Sequence, residues 1–122
     1  MLYNISNHPC ADWDPAQMTA ALELAGEIID VEFPSVSPCA ASIEIKELAQ
    51  SYASKLAVDM VPGVDVAHVM GEMTFCYALV RALQQLGVRC FASTTTRQVS
   101  YNALGQKLSQ FHFVMFREYP VD

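Results

Sequence analysis

The sequence predicts an α/β domain: a small three-layer Rossmann-like sandwich, its sheet mostly parallel, with an antiparallel hairpin at the C-terminal edge. Three observations carry this expectation. Apolar residues switch between strand-like and helical spacing in the order strand–helix–strand–helix–strand–helix–strand, which calls for right-handed crossovers and a sheet covered on both faces. Glycine or proline punctuates most of the switches. From Arg97 onward the helical spacing stops and two alternating segments follow. With 122 residues, 52% of them hydrophobic and 16% charged, the chain has room for one domain, residues 1–122, with a real core.

Each element has its own local reason. Leu2 to Ser6 is a short apolar-rich strand ended by the turn Asn7-His8-Pro9. Asp14 before Pro15, with Gln17 three residues after the Asp, supplies an N-cap, a proline at the first helical position and a box-like partner. That helix runs to about Ala25, stops at Gly26, and turns Met18, Ala21, Leu22 and Ala25 to the core. Ile28 to Phe33 is a second strand closed by Pro34. Ser42 caps a second helix with Ile45, Leu48, Ala49, Tyr52 and Leu56 on one stripe.

Pro62-Gly63 breaks the chain before a third strand, Val64 to Met70, more uniformly apolar than the first two and expected to be buried. Gly71 opens a third helix, Glu72 to Leu86, apolar on most sides and stopped by Gly87. Val88 to Ser93 is a fourth strand. Arg97 to Tyr101 and Phe111 to Tyr119 then form a hairpin around Asn102 and Gly105, with either Phe111, Phe113 and Met115 or the opposite set His112, Val114 and Phe116 facing the core.

Composition excludes several functions. A net charge of −6 opposes sequence-independent binding to a long nucleic acid. No apolar run reaches the roughly 18–20 residues of a membrane span. The N-terminal MLYNISNHP lacks the basic start and apolar stretch of a signal peptide, so a cytoplasmic location is expected. Cys10, Cys39, Cys76 and Cys90 form no C-x-x-C, and no His stands at ligand spacing from them. No metal and no cofactor is therefore expected. Cys39, Cys76 and Cys90 read as small hydrophobes of a reduced protein, and Cys10 alone merits a test for reactivity. P-loop, dinucleotide-fingerprint, nucleophile-elbow and H-E-x-x-H motifs are all missing from the sequence.

In an open α/β sheet, ligands bind beyond the carboxyl ends of the parallel strands. That rule selects Ser6 to Pro9, Met70 to Thr74 and Ser93 to Arg97, which are also the most polar non-helical segments. Gly71 would let a ligand approach the backbone, and the helix start at Glu72 and Thr74 would offer N–H groups to an anion. Ser93, Thr94, Thr95 and Thr96 would donate hydroxyls to phosphate or ribose oxygens. Arg97, the one base in these segments, would clamp a phosphate. Asn7 would read a base edge or ribose, and His8 would act as acid or base. Plainer roles stand beside these: strand structure for the Thr run, an Arg97–Glu118 pair across the hairpin, a turn role for His8, a helix-end role for Glu72, a satisfied core position for His68 and a surface position for His112.

Taken together, the segments SNHP, VMGEMTF, ASTTTR and FVMFREY resemble a family of small prokaryotic single-domain proteins and, more widely, the CRISPR-associated Rossmann-like (CARF) group with its ring nucleases. That resemblance implies a homodimer whose loops after the first and fourth strands line a two-fold pocket for a cyclic oligoadenylate. Asn7 and His8, and Ser93 to Arg97, match the two ligand loops. The chain differs in having no lysine in either loop and in placing Glu72 nearby.

Two functions follow as expectations. The first is a cytoplasmic homodimer that binds a nucleotide-like or phosphorylated small ligand at the strand ends. Any reaction would be a metal-independent phosphodiester cleavage with His8 as acid or base and Arg97 stabilising charge. The second is a homodimeric assembly module with no small ligand, docking through the aromatic hairpin.

Overall fold

The computed structural model describes residues 1–122. Its strands are β1 (Leu2–Ser6), β2 (Ile28–Glu32), β3 (Val66–Met70), β4 (Arg89–Tyr101) and β5 (Lys107–Glu118), with helices α1 (Pro15–Ala25), α2 (Ser42–Ala57) and α3 (Met73–Gln85) between them. One sheet holds all five strands in the order β2-β1-β3-β4-β5, parallel except for the antiparallel pair β4-β5. The α/β class, the mostly parallel sheet and the C-terminal hairpin are as the sequence predicts. Strand order reverses between β1 and β3, so the switch point lies at their carboxyl ends.

Strand periodicity divides the sheet into two unlike faces. Tyr3, Ile5, Ala67, Val69 and Cys90 point to α2 and α3, where they join Ala49, Phe75, Leu79 and Leu83 in the main core. Leu2, Val66 and Phe91 point the other way and meet Ala21 of α1. Of the expected α2 stripe, Ile45, Ala49 and Leu56 are buried in the main core with Leu48 and Tyr52 packed against it, and Ala53 joins them. On α3, Phe75, Cys76, Leu79, Val80 and Leu83 are buried and Leu86 is exposed. On α1 the buried residue is Ala21, with Leu24 and Ala25 packed beside it, whereas Leu22 faces solvent. The face of α1 that is buried is the one that packs on Leu2, Val66 and Phe91.

Local chemistry departs from expectation at several ends. Asp14 caps α1 by accepting from the Gln17 N–H at 2.8 Å, with no return bond from the Gln17 side chain. Ser42 does not cap α2: Ala41 is the cap residue, and its N–H donates to the Glu44 carboxylate at 3.2 Å. Cys39 is exposed in the preceding loop, while Cys76 and Cys90 are buried. The fourth strand and the first hairpin strand are one continuous strand, so Ser93 to Arg97 lie inside β4 and form no strand-end loop.

The expected Arg97–Glu118 pair does not form; Arg89 pairs with Glu118 at 2.7 Å instead. A register shift opposite Val114 pairs Thr94 with Met115 but Thr95 with Phe113. Neither expected inward set survives it. Phe113 and Phe116, three positions apart, share a face with their rings 5.0 Å apart.

Candidate functional site

Four buried side chains are polar: Asn4, Ser6, Asp65 and His68. Asp65 is accounted for at the chain start, where it accepts from the Met1 ammonium at 2.9 Å and from the Val61 N–H at 2.7 Å. The other three sit together on the α1 face, near the start of α1, whose Gln17 lines the same cavity. Parallel register places Asp30, Asn4 and His68 side by side across β2, β1 and β3. Alternation adds Ser6 and Ser93 one step nearer the carboxyl ends.

Hydrogen bonds join this row into one network. Asn4 Nδ2 donates to Asp30 Oδ1 at 2.8 Å and to the His8 carbonyl at 2.9 Å. Asn4 Oδ1 lies 2.8 Å from the Ser6 hydroxyl and 2.9 Å from His68 Nδ1. On its far side His68 Nε2 meets the Ser93 hydroxyl at 3.2 Å. No buried side-chain nitrogen or oxygen is left without a partner.

Aromatic rings cover the network. Trp13, on the loop before α1, stands edge-on to His68 at 5.5 Å, and Phe116 does so at 5.3 Å. This dry enclosure disfavours the imidazolium, and burial lowers the His68 pKa to about 4. Burial by itself raises the Asp30 carboxyl. The hydrogen bonds from Asn4 and from the Cys10 N–H and thiol together outweigh it and hold Asp30 below its ordinary value. Cys10 moves the other way, raised by burial and then by the Asp30 carboxylate, so its thiol is not activated.

Above the row opens a cavity of about 570 Å³ lined by Ser6, His8, Trp13, His68, Ser93 and Thr95, among others. Phe111 and Phe113 form its hairpin wall, and Asp12 and Asp14 bring carboxylates to it. Clefts of about 700 and 670 Å³ run along α3, but neither is lined by any of the buried polar groups. Across the whole chain, no three His, Cys, Asp or Glu side chains gather as a metal site would need.

The candidate residues fall into two groups. His8, Ser93 and Thr95 line this cavity together. Arg97 lies on the same face of the hairpin two residues further out, opposite the cavity-lining Phe111, with its guanidinium 2.9 Å from Ser109 Oγ. Thr94 and Thr96 alternate to the other face, and the Thr94 hydroxyl donates to the Met115 carbonyl at 3.2 Å. Asn7 opens on a neighbouring cleft of about 400 Å³ between the ends of β1 and β2.

Gly71, Glu72 and Thr74 are not brought to the cavity. The Glu72 carboxylate folds over its own helix start and accepts from the N–H groups of Thr74 at 3.1 Å and Phe75 at 2.8 Å, and from the Thr74 hydroxyl. Those bonds, the Phe75 N–H foremost, lower its pKa and fill the place expected for an anion. Gly71 lines the cleft of about 700 Å³ along α3 instead, and it makes room for a side chain: a Cβ there would overlap the Phe33 ring.

Asn4, Asp30 and Trp13 are functional candidates that motif reading did not select, and Ser6 entered it only as the first residue of the segment Ser6 to Pro9, with no role of its own. A signal for three of them does exist in the sequence: polar residues alternate with apolar ones in β1, β2 and β3. Only the register aligns them. His68 is satisfied, as expected of it, yet its partners place it on the cavity floor.

These features define a Rossmann-like α/β domain with a polar cavity at the switch point of its parallel sheet. The chain belongs to the family described as "Uncharacterized protein MJ1673 family", which matches residues 1–117. No curated protein and no solved structure matches it.

Proposed function

We propose that the chain binds a nucleotide-like or phosphorylated small ligand in the cavity at the carboxyl ends of β1, β3 and β4. One observation carries the reading: three of the four buried polar side chains meet beneath an aromatic-walled cavity at the sheet's switch point. Trp13, Phe111 and Phe113 offer stacking surfaces for a base. Arg97, on the same hairpin face, offers a fork for a phosphate. A cyclic oligoadenylate, the ligand implied by the CARF resemblance, is one member of this class. It would suit a homodimer in which two such cavities adjoin. Where turnover occurs, it is metal-independent attack of a ribose 2′-hydroxyl on the adjacent 3′-phosphodiester, which forms a 2′,3′-cyclic phosphate and breaks the bond to the 5′-oxygen of the next nucleotide. His8, at the cavity edge, takes the 2′ proton as base or protonates the leaving 5′-oxygen as acid.

A thermal-shift screen against nucleotides, linear and cyclic oligoadenylates and phosphorylated metabolites tests this. Ligand at a hundredfold excess over its dissociation constant stabilises the fold by about 2.7 kcal/mol. A shift with one ligand class supports the site, and no shift across the panel removes it.

A second reading rests on a different observation. Tyr101, Leu104 and Phe111 of the hairpin are 65–83% exposed, an apolar surface that suits a homodimeric assembly module without a small ligand. That reading expects concentration-dependent association abolished by Leu104→Glu and no ligand response.

A further inference from the structure

The polar row forces a direction on every proton it holds. Asp30 Oδ1 and the His8 carbonyl are both acceptors, so the Asn4 atom facing them at 2.8 and 2.9 Å must be the amide nitrogen. Turning the amide over would set its oxygen against a carboxylate and a carbonyl. Asn4 Oδ1 therefore faces Ser6 and His68, and His68 Nδ1, 2.9 Å away, must carry the proton. A neutral imidazole has one N–H, so Nε2 is a bare acceptor. The enclosure by Trp13 and Phe116 keeps the ring neutral.

Ser93 is the next link. Its hydroxyl lies 3.2 Å from His68 Nε2 and 2.8 Å from Met70 Sδ. Both are acceptors and both belong to the protein, so the Ser93 proton has a protein partner whichever receives it. The imidazole nitrogen is the stronger of the two. Ser6 is in the same position: its proton goes to Asn4 Oδ1 at 2.8 Å or to the His8 carbonyl at 3.1 Å. Lone pairs are what these hydroxyls have left to offer the cavity. Asp12 and Asp14 add carboxylates, and no lysine or arginine lines the space. A phosphate set against Ser6 and Ser93 would face acceptors; the donors of the lining are those of His8, Trp13, Gln17 and Thr95 instead.

We infer that Ser93 Oγ is a specificity-determining acceptor. A nucleotide-like ligand enters with a neutral N–H or O–H donor, a base amine or a ribose hydroxyl, against Ser93, and leaves its phosphate outward beside Arg97. This inference rests on the cavity reading above and reverses the expectation that Ser93 donates to phosphate. His68 and Asn4 are positioning residues that fix the polarity of Ser93.

The relay is tested on the free wild-type protein by ¹⁵N spectra of the histidine rings near neutral pH. The expected result is a neutral His68 with Nδ1 protonated and Nε2 bare. A protonated Nε2 overturns the acceptor role, because the Ser93 proton would then be free for the ligand. The ligand half is tested by titrating adenosine monophosphate, an analogue lacking the exocyclic amine, one lacking both ribose hydroxyls, and inorganic phosphate.

Ser93→Ala should weaken adenosine monophosphate about tenfold. One of the two analogues should already be weakened and should lose nothing more in the variant, which names the donor. Full sensitivity of both analogues to Ser93→Ala, or a Ser93-dependent affinity for inorganic phosphate, overturns the inference. Failure of every nucleotide to bind overturns the ligand half, no shift across the whole panel overturns the cavity reading with it, and the ring spectra decide the relay separately.

Discussion

Under α2 and α3 the sheet buries an apolar cluster of sixteen residues, whereas under α1 it buries four. The same three central strands supply both faces. Tyr3 and Ile5 of β1 go to the large cluster, and Asn4 and Ser6 between them go to the polar row. β3 does the same with Ala67 and Val69 against His68. The contrast separates the group that holds the fold from the group able to meet a ligand. Trp13 and Phe116 cover the polar row, and the cavity above it is walled by hairpin aromatics and by Gln17 in the first turn of α1.

The strongest way to break the contrast is to remove an anchor of the apolar face. Phe75 is fully buried, with Phe33 and Tyr52 edge-on to its ring at 5.3 and 5.4 Å. Phe75→Ala should cost about 3–5 kcal/mol in urea unfolding, from lost burial and the cavity it leaves. A loss below about 1 kcal/mol would show that this face is not where the stability resides.

Acid probes the polar face. His68 titrates at about 4 in the fold against 6.5 ordinarily. Between those values the unfolded chain holds a proton that the folded chain does not, so stability falls as pH drops from about 6.5 to about 4. The loss from this residue reaches roughly 3 kcal/mol at the bottom of the window and grows no further below it. Above about 6.5 the residue contributes no pH dependence. Unfolding curves of the wild type and His68→Gln across the window check this: the variant should lose most of the slope. Identical slopes would mean that His68 is not held neutral by the fold.

Gly71 tests a junction between the large cluster and a strand end. A Cβ there would lie 2.3–2.8 Å from three Phe33 ring carbons, and Phe33 leans on Phe75. Gly71→Ala should destabilise by about 1–3 kcal/mol through overpacking. Gly71→Ala in a Phe33→Leu background should cost less, because the smaller side chain can retreat. Equal costs in both backgrounds would remove Phe33 as the reason for the glycine.

How far the sequence foretold each face follows from the same contrast. Helical stripes such as Ile45, Ala49 and Leu56 are local patterns, and so are the breaks at Gly26, Pro62 and Gly87; these were legible. The Asp30–Asn4–His68 row is not local. It exists only because parallel pairing brings positions 26 and 64 residues apart into register. No motif in a single strand records that. The hairpin face was unreadable for a related reason: the register shift opposite Val114 moves Phe116 onto the side of Phe113, which strict alternation forbids. Glu72 misled in another way. A carboxylate at a helix start satisfies the N–H groups itself, so a glycine-opened helix there has nothing left for an anion.

The smallest effect on stability should come from the residue on which the ligand reading leans for its charge. Arg97 is exposed, and its guanidinium contacts only Ser109 Oγ, at 2.9 and 3.3 Å. Arg97→Ala should therefore change the unfolding free energy by no more than about 0.5 kcal/mol. The cavity wall itself contains no lysine or arginine, so a phosphate held at its mouth has Arg97 as its nearest cation on the hairpin face. Affinity for any phosphorylated ligand found in the screen should fall sharply in Arg97→Ala. It should recover only in part in Arg97→Lys, which keeps the charge and loses the fork. Unchanged affinity in both variants would remove Arg97 from the site and leave the acceptor-lined floor to bind an uncharged or cationic molecule.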